Sequence, residues 1–459
     1  MLLIKNGYVI TMDPMRNVFT KGAIVIENNK IIEVGQSQTL EQKYPEASVL
    51  DASGKAVLPG LINAHTHIYQ ILYRGLGDDL SLADWLKKCI WPLSANLTRD
   101  DCHAAALLAS LEMIKSGSTT FVDSHYINKD KECHDGIVEG AEKIGIRGVL
   151  GRCTVDSYPT PEEFRETVDT AQKEAAKVIE KYHGYANGRI TVRVEPLNEL
   201  LASPEMIKAM REISKQYGVG MNMHVAETMK RTQDSRENFG MPSIEYLNDL
   251  GVLGPDVLLA HCCWLTKKEI QILADTDTKV AHNPVSNQYL ADGVAPVPEM
   301  LRKGITVTIG PDGACSNNNL DMFGVMKSAA LLHKVNELDP QAMTANKALE
   351  MATIDAARAL GMEKEIGSLE KGKKADVILV NVRRANMIPS LAIVSNLVYS
   401  CTGDAVDTVI IDGKVIMKNR EVLTVDEEKI LVQADNVVKN LVEKSNATNL
   451  INSDSWNYV

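Results

Sequence analysis

The stretch from Ala56 to His67, Ala-Val-Leu-Pro-Gly-Leu-Ile-Asn-Ala-His-Thr-His, constrains this chain more than any other. An apolar run from Val57 to Ile62, broken once by Pro59-Gly60, ends in His65-x-His67. In a strand, residues two apart share a face, so both imidazoles point the same way at the end of a buried strand. Two neutral imidazoles on one face can hold a divalent metal. Two ordinary histidines near a strand end would look the same locally. The choice falls to the histidines and acids further along.

From Leu58 onward, short apolar strands alternate with helical stretches. Strands are expected at 119–123, 148–152, 190–195, 219–224, 257–261, 279–282 and 305–309, after the one that carries His65. Helices are expected over 99–116, 136–144, 161–182 and 345–360. His67, His224, His261, His282 and Asp312 each fall at the C-terminal end of a different strand. A closed (β/α)8 barrel sets strand one beside strand eight and gathers these ends on the rim where such barrels carry their chemistry. A doubly wound open sheet is the alternative, and it leaves them apart.

Outside this region the texture is different. Residues 1–57 read as short strands with hairpin turns, and 365–424 return to strands with a tight Asp412-Gly413 turn. Neither set buries much alone. The expected fold is therefore α/β: a TIM barrel over 58–364 with a small discontinuous β-sandwich domain made of 1–57 and 365–424. A C-terminal helix and a polar, peripheral tail follow over 425–459.

Composition excludes several function classes. At 459 residues and 45% apolar content the chain can bury a sizeable core. A formal charge of −11 argues against a nucleic-acid partner. The start lacks a basic segment followed by a long apolar one, and no run of eighteen apolar residues exists, so no membrane partner is expected. The eight cysteines contain no Cys-x-x-Cys and no framework spacing, and they read as reduced thiols of a cytoplasmic protein.

His65, His67, His224 and Asp312 make a four-ligand set. Three imidazoles and a carboxylate suit zinc, or iron(II). With a water added, such a site is open, as catalytic sites are. Glu227, three residues past His224, either moves the proton of that water or is an ordinary acid at a helix N-terminus. His261 either orients the attacking oxygen or packs as a strand histidine. Trp85 either stacks on a flat ring or anchors its loop.

These residues resemble the amidohydrolase superfamily, in its branch of aminohydrolases acting on nitrogen heterocycles. The matching motifs are Pro59-Gly60-Leu-Ile-Asn-Ala-His65-Thr-His67, His224-Val-Ala-Glu227, His261, His282-Asn-Pro-Val-Ser-Asn287, Gly310-Pro-Asp312-Gly-Ala, and Gly367-Ser-Leu-Glu-Lys-Gly-Lys-Lys-Ala-Asp376. The resemblance implies one divalent metal per chain, zinc with iron as the alternative, on His65, His67, His224 and Asp312, without a carboxylated lysine. It casts Glu227 as proton shuttle, and His261 with Asp312 as the groups that hold the attacking hydroxide. The reaction implied is hydrolytic deamination of a small molecule that releases ammonia, by a homo-oligomer (a dimer or higher).

Two subfamilies compete below that level. Asp312-Gly-Ala-Cys-Ser316-Asn317-Asn318-Asn319 and Ala295-Pro-Val-Pro-Glu299-Met resemble deaminases of S-adenosylhomocysteine, methylthioadenosine or 5'-deoxyadenosine. Asn63-Ala-His65-Thr-His67-Ile-Tyr-Gln70-Ile-Leu-Tyr-Arg74-Gly resembles the s-triazine hydrolases equally. The nucleoside deaminases carry Glu after Ile-Trp-Pro-Leu, where this chain has Ser94, and end strand four in Gly-Pro-His, where it reads Val194-Glu195-Pro196-Leu197. Both departures favour a compact aminated ring, triazine- or purine-like, over a nucleoside. Ser94, Gln70, Trp85 and Arg152 are the substrate-binding candidates, Arg152 for an anionic substituent unless it serves a structural ion pair. Dechlorination is an alternative reaction. The rival from another class is an inactive scaffold, which should have lost ligands that this chain keeps.

Overall fold

Strand–helix alternation builds one sheet of eight parallel strands that nearly closes into a barrel. The computed structural model describes residues 1–447 and 450; the tail read as peripheral lies for the most part outside them. The barrel strands are Leu61–Thr66, Ser118–His125, Arg147–Thr154, Ile190–Pro196, Met221–Val225, Val257–His261, Lys279–His282 and Val307–Ile309, adjacent in chain order. Nearly all their residues are buried on both faces, as strands sheathed by helices must be. The first and last strands meet at the rim. The Asp312 amide donates to the His65 carbonyl at 3.0 Å, and the Thr66 hydroxyl donates to the Asp312 carbonyl at 2.8 Å. Gly310 permits that approach, since a Cβ there would stand 2.7 Å from the His65 carbonyl oxygen.

Two helices depart from the periodicity, each for a local reason. The helix expected from 161 begins at Val168, because Glu162–Phe164 forms a 3-10 turn and the Thr167 side chain caps the new start by accepting from Thr170. The helix expected over 345–360 is two, Ala345–Met351 and Ile354–Ala359. Barrel strands take the carbonyls between them: Ile62 N–H donates to Ala352 and the Thr308 hydroxyl to Met351. By contrast, Arg99–Lys115 starts where the sequence places it, on a reciprocal cap between Thr98 and Asp101.

The remaining strands make one mixed sheet of nine, drawn from both ends of the chain. Lys55–Pro59 pairs antiparallel with Val377–Asn381, which joins the N-terminal set to the C-terminal set. Eight of its strands follow one hydrogen-bonded path, Ser48–Asp51 pairs off that path with Leu2–Ile10, and Ile4, Ile24 and Ile26 share a core with Val377, Leu379 and Ile410. A C-terminal helix, Glu427–Lys444, packs on the Arg99–Lys115 helix.

A buried ion pair fastens this sheet to the barrel. Arg147, the first residue of the third barrel strand, donates from Nε and Nη2 to the two oxygens of Asp376, at 2.8 and 3.1 Å, and both side chains are almost fully buried. Asp376 also accepts from the Asp412 amide at 2.7 Å. Truncating one partner of a buried pair strands the other charge and costs about 3–5 kcal/mol. Asp376→Ala is therefore expected to lower the denaturation midpoint by a corresponding amount. A loss below about 1 kcal/mol in urea titrations, the range of a solvated surface pair, would show that the junction does not depend on this pair.

Candidate active site

The strand ends deliver one cluster. His65 lies in the first strand and His67 directly after it; His224 and His261 lie in the fifth and sixth; Glu227 and Asp312 follow the fifth and eighth by two and three residues. His261 and Asp312 hold left-handed backbone, with φ of 72° and 66°. Such conformations cost of order 1–3 kcal/mol in non-glycine residues and concentrate at functional sites.

The cluster is tight and buried. His65 Nε2 and His67 Nε2 stand 3.5 and 3.3 Å from Asp312 Oδ1, and His224 Nε2 stands 3.4 Å from His67 Nε2. One donor atom from each of His65, His67 and His224 lies within 4.8 Å of the others, and the same holds for His65, His261 and Asp312. His65 Nε2 and His261 Nε2 are buried without a hydrogen-bond partner. A buried lone pair without a partner is costly, and a divalent cation would satisfy those aimed here. The three-imidazole, one-carboxylate donor set therefore fits zinc.

Neighbouring groups fix the rings. His67 Nδ1 donates to the Ser124 carbonyl at 2.6 Å, which leaves the Nε2 lone pair for a metal. His261 Nδ1 donates to Asn287 Oδ1 at 2.8 Å, turning Nε2 toward Glu227 Oε1 at 3.6 Å and Asp312 Oδ2 at 3.9 Å. His224 Nδ1 faces Glu195 Oε1 at 3.4 Å, and that oxygen accepts from the Ser124 hydroxyl at 2.6 Å. Asp312 accepts from the Ser286 hydroxyl at 2.7 Å and from the Gly313 amide at 2.8 Å.

Electrostatics follow from burial and these partners. Burial holds His65 below, and His224 well below, the ordinary histidine value, so both are neutral. Burial also opposes charging His67, but Asp312 overrides it and raises His67 to about 9. A metal ion would displace that proton. Asp312 is pushed up by burial, yet His65 and His67 hold it well below the usual carboxylate range. Burial likewise raises Glu227, but the Arg231 guanidinium, paired with it four residues on, brings it below its ordinary value.

The amidohydrolase family matches residues 56–416. The chain belongs to the amidohydrolase family. Like other members of this family it is a hydrolase of C–N bonds other than peptide bonds. It is 43% identical over 445 residues to a 5'-deoxyadenosine deaminase of Methanobrevibacter smithii, covering 97% of this chain and 99% of that one. It is 40% identical over 444 residues to a 5-methylthioadenosine/S-adenosylhomocysteine deaminase of Syntrophomonas wolfei, covering 96% and 100%. Among solved structures, an adenosine deaminase from Xanthomonas campestris with bound zinc superposes with a TM-score of 0.91 at 28% identity over 96% and 98% of the two chains. A triazine hydrolase variant does so with a TM-score of 0.89 at 26% identity over 95% and 99%. The resemblance to both amidohydrolase subfamilies thus holds, with the higher identities on the nucleoside side.

Two cavities serve the amidohydrolase centre. A narrow one of about 40 Å³ touches His67, His224, Glu227, His261 and Asp312 and is walled by Gln70, Trp85 and Tyr126. It adjoins an outer vestibule of about 970 Å³ and shares with it Leu82, Leu86, Leu201, Arg231 and Leu290. Gln70 Oε1 and Trp85 Nε1 are buried without partners. Ser94 and Arg152 are not brought to either cavity. Ser94 is fully buried with its hydroxyl 3.3 Å from that of Tyr73. Arg152 is a two-pronged partner of Glu166, with Nη2 at 2.8 Å from Oε1, which is the structural ion pair of its two readings. His282 meets His333 at 3.1 Å, away from the ligand set. Sequence reasoning missed Arg231, Tyr126 and Asp292 as wall residues. The i,i+4 spacing of Glu227 and Arg231 was the one available signal.

Proposed function

We propose that this enzyme deaminates the adenine ring of a 5'-substituted adenosine, of the 5'-deoxyadenosine, methylthioadenosine or S-adenosylhomocysteine kind. The observation that carries the reading is the vestibule. A compact triazine would occupy the inner cavity and leave about 970 Å³ of lined space unused. A ribose with a 5' substituent extends into it, past the leucine neck. The Ser94 argument against a nucleoside loses its force, because Ser94 lies off both cavities. The names of the relatives at 40% identity and above support the same substrate class.

In this reading His65, His67, His224 and Asp312 hold one catalytic metal, zinc, which when bound lowers the pKa of a water molecule toward neutrality. Glu227, ionised beside Arg231, takes the proton of the attacking water and passes it to a ring nitrogen and then to the departing amine. His261 Nε2 and Asp312 hold the attacking oxygen over the amino-bearing carbon. Trp85 lies against the ring, and Gln70 Oε1 accepts from its polar edge. Chloride would leave without a proton, so the buried Glu227 favours deamination over dechlorination. The eight cysteines, all free, suit a cytoplasmic setting.

Ammonia release should discriminate the substrates. We expect kcat/KM for 5'-deoxyadenosine, methylthioadenosine or S-adenosylhomocysteine to exceed that for adenine and melamine by about a hundredfold or more, since two hydrogen bonds of about 1.4 kcal/mol each give that factor. Equal or better use of melamine or a free aminopurine would replace this reading with a compact-ring one.

A further inference from the structure

Behind the second barrel strand lies a group of side chains that the reaction does not use. Cys102 sits in the Arg99–Lys115 helix, Cys133 is the first residue of the Cys133–Ile144 helix, and His125 is the last residue of the Ser118–His125 strand. All three are buried, with at most 1% exposure, and their donor atoms lie within 4.8 Å of one another. Among the described residues, neither ring nitrogen of His125 has a hydrogen-bond partner. His134 is also buried, its ring centroid 4.9 Å from that of His125 and its Nε2 without a partner.

We propose that Cys102, His125 and Cys133 form a second, structural metal site for a thiophilic divalent cation such as zinc. Two thiolates and imidazole nitrogen are the ligands zinc favours in closed structural sites. Around a tetrahedral ion with bonds of about 2.0–2.3 Å, donors stand about 3.3–3.8 Å apart; the present spacing reaches that through small side-chain rotations. Cys133 opens a twelve-residue helix, whose free amides favour a thiolate there. A hydrogen-bonded thiol pair, with the Cys133 sulphur also beside the His125 ring, would still leave at least one buried nitrogen of His125 without a partner. Metal ligation satisfies both sulphurs and one nitrogen of His125, which the thiol pair alone does not.

The site also has something to hold in place. His125 follows Ser124, whose carbonyl orients His67, and its ring meets Tyr69 at 5.4 Å. An ion here would pin the second strand to both of its flanking helices and so steady the carbonyl behind a catalytic ligand. The total would be two ions per chain rather than the expected one, with no second ion at the catalytic centre.

Cobalt reports on this directly, because the catalytic set contains no sulphur. The full chain, stripped by a chelator and reloaded with cobalt(II), should bind two ions and show a near-ultraviolet thiolate-to-cobalt charge-transfer band. The double variant Cys102→Ser, Cys133→Ser should bind one ion and lose the band. The double variant His65→Ala, His67→Ala should also bind one ion but keep the band, which covers the case in which the cysteine variant fails to fold. One ion per chain without a band in the wild type, or a band that survives in the cysteine variant, overturns the proposal. These outcomes are read without substrate, so they stand apart from the deaminase reading.

Discussion

Glu227→Gln is expected to lower turnover on an amino substrate by about 10²–10⁴-fold, the usual contribution of a positioned acid–base group, while metal content and fold stay unchanged. Gln can hydrogen-bond but cannot carry a proton. The geometry makes this a sharp test. One oxygen of Glu227 pairs with Arg231, and the other faces His261 Nε2 at 3.6 Å, across the space that the proposed mechanism gives to the attacking oxygen. A neutral amide of the same shape keeps that packing and removes only the proton transfer. Steady-state rates of ammonia release, with metal content measured on the same sample, give the result. Rates within a factor of about three of wild type would remove Glu227 from the shuttle role.

How much of this was legible in the sequence depends on range. His65-x-His67 could be read because a strand's period of two puts both rings on one face whatever the rest of the chain does. His224, His261 and Asp312 could be placed because each ends an apolar run, and strand ends in a barrel converge. Contacts set by loops left no such trace. Arg152 has a strand position like that of the ligands, yet Glu166, fourteen residues later in the loop before the Val168–Tyr182 helix, claims its guanidinium. Ser94 stands where the nucleoside deaminases' motif has Glu and so argued against a nucleoside, but its helix turns it under Tyr73. Cys102, His125 and Cys133 sit on three elements with no short spacing between the cysteines, so the search for Cys-x-x-Cys passed over them. The two sets of strands expected to form one small domain do so, because Lys55–Pro59 hydrogen-bonds directly to Val377–Asn381.

The largest loss is expected from the proposed metal ligands themselves. His65→Ala, His67→Ala should abolish the histidine-bound metal and bring turnover to background. Lowering the pKa of water from about 15.7 to about 7 raises its ionised fraction at neutral pH by roughly 10⁸-fold, far more than a proton shuttle contributes. The two histidines are not interchangeable with their neighbours. His67 is the ring whose Nδ1 is committed to Ser124, so its Nε2 is the nitrogen turned toward Asp312 and His224. His65 Nε2 is buried with no partner and faces Asp312, so its removal takes away the donor that lies between the carboxylate and His224. What would be left, His224 and Asp312, is too few protein donors for a four-coordinate ion. His261 cannot replace them without giving up its place beside Glu227. Elemental analysis and ammonia release on the same preparation test this together. A variant that keeps the wild-type number of ions and measurable turnover would show that the catalytic metal sits on a different set, with His261, Glu227 and Asp292 the next candidates. Loss of turnover with the full wild-type metal content retained, not one ion fewer, would separate binding from activation and leave His65 and His67 as orienting groups only.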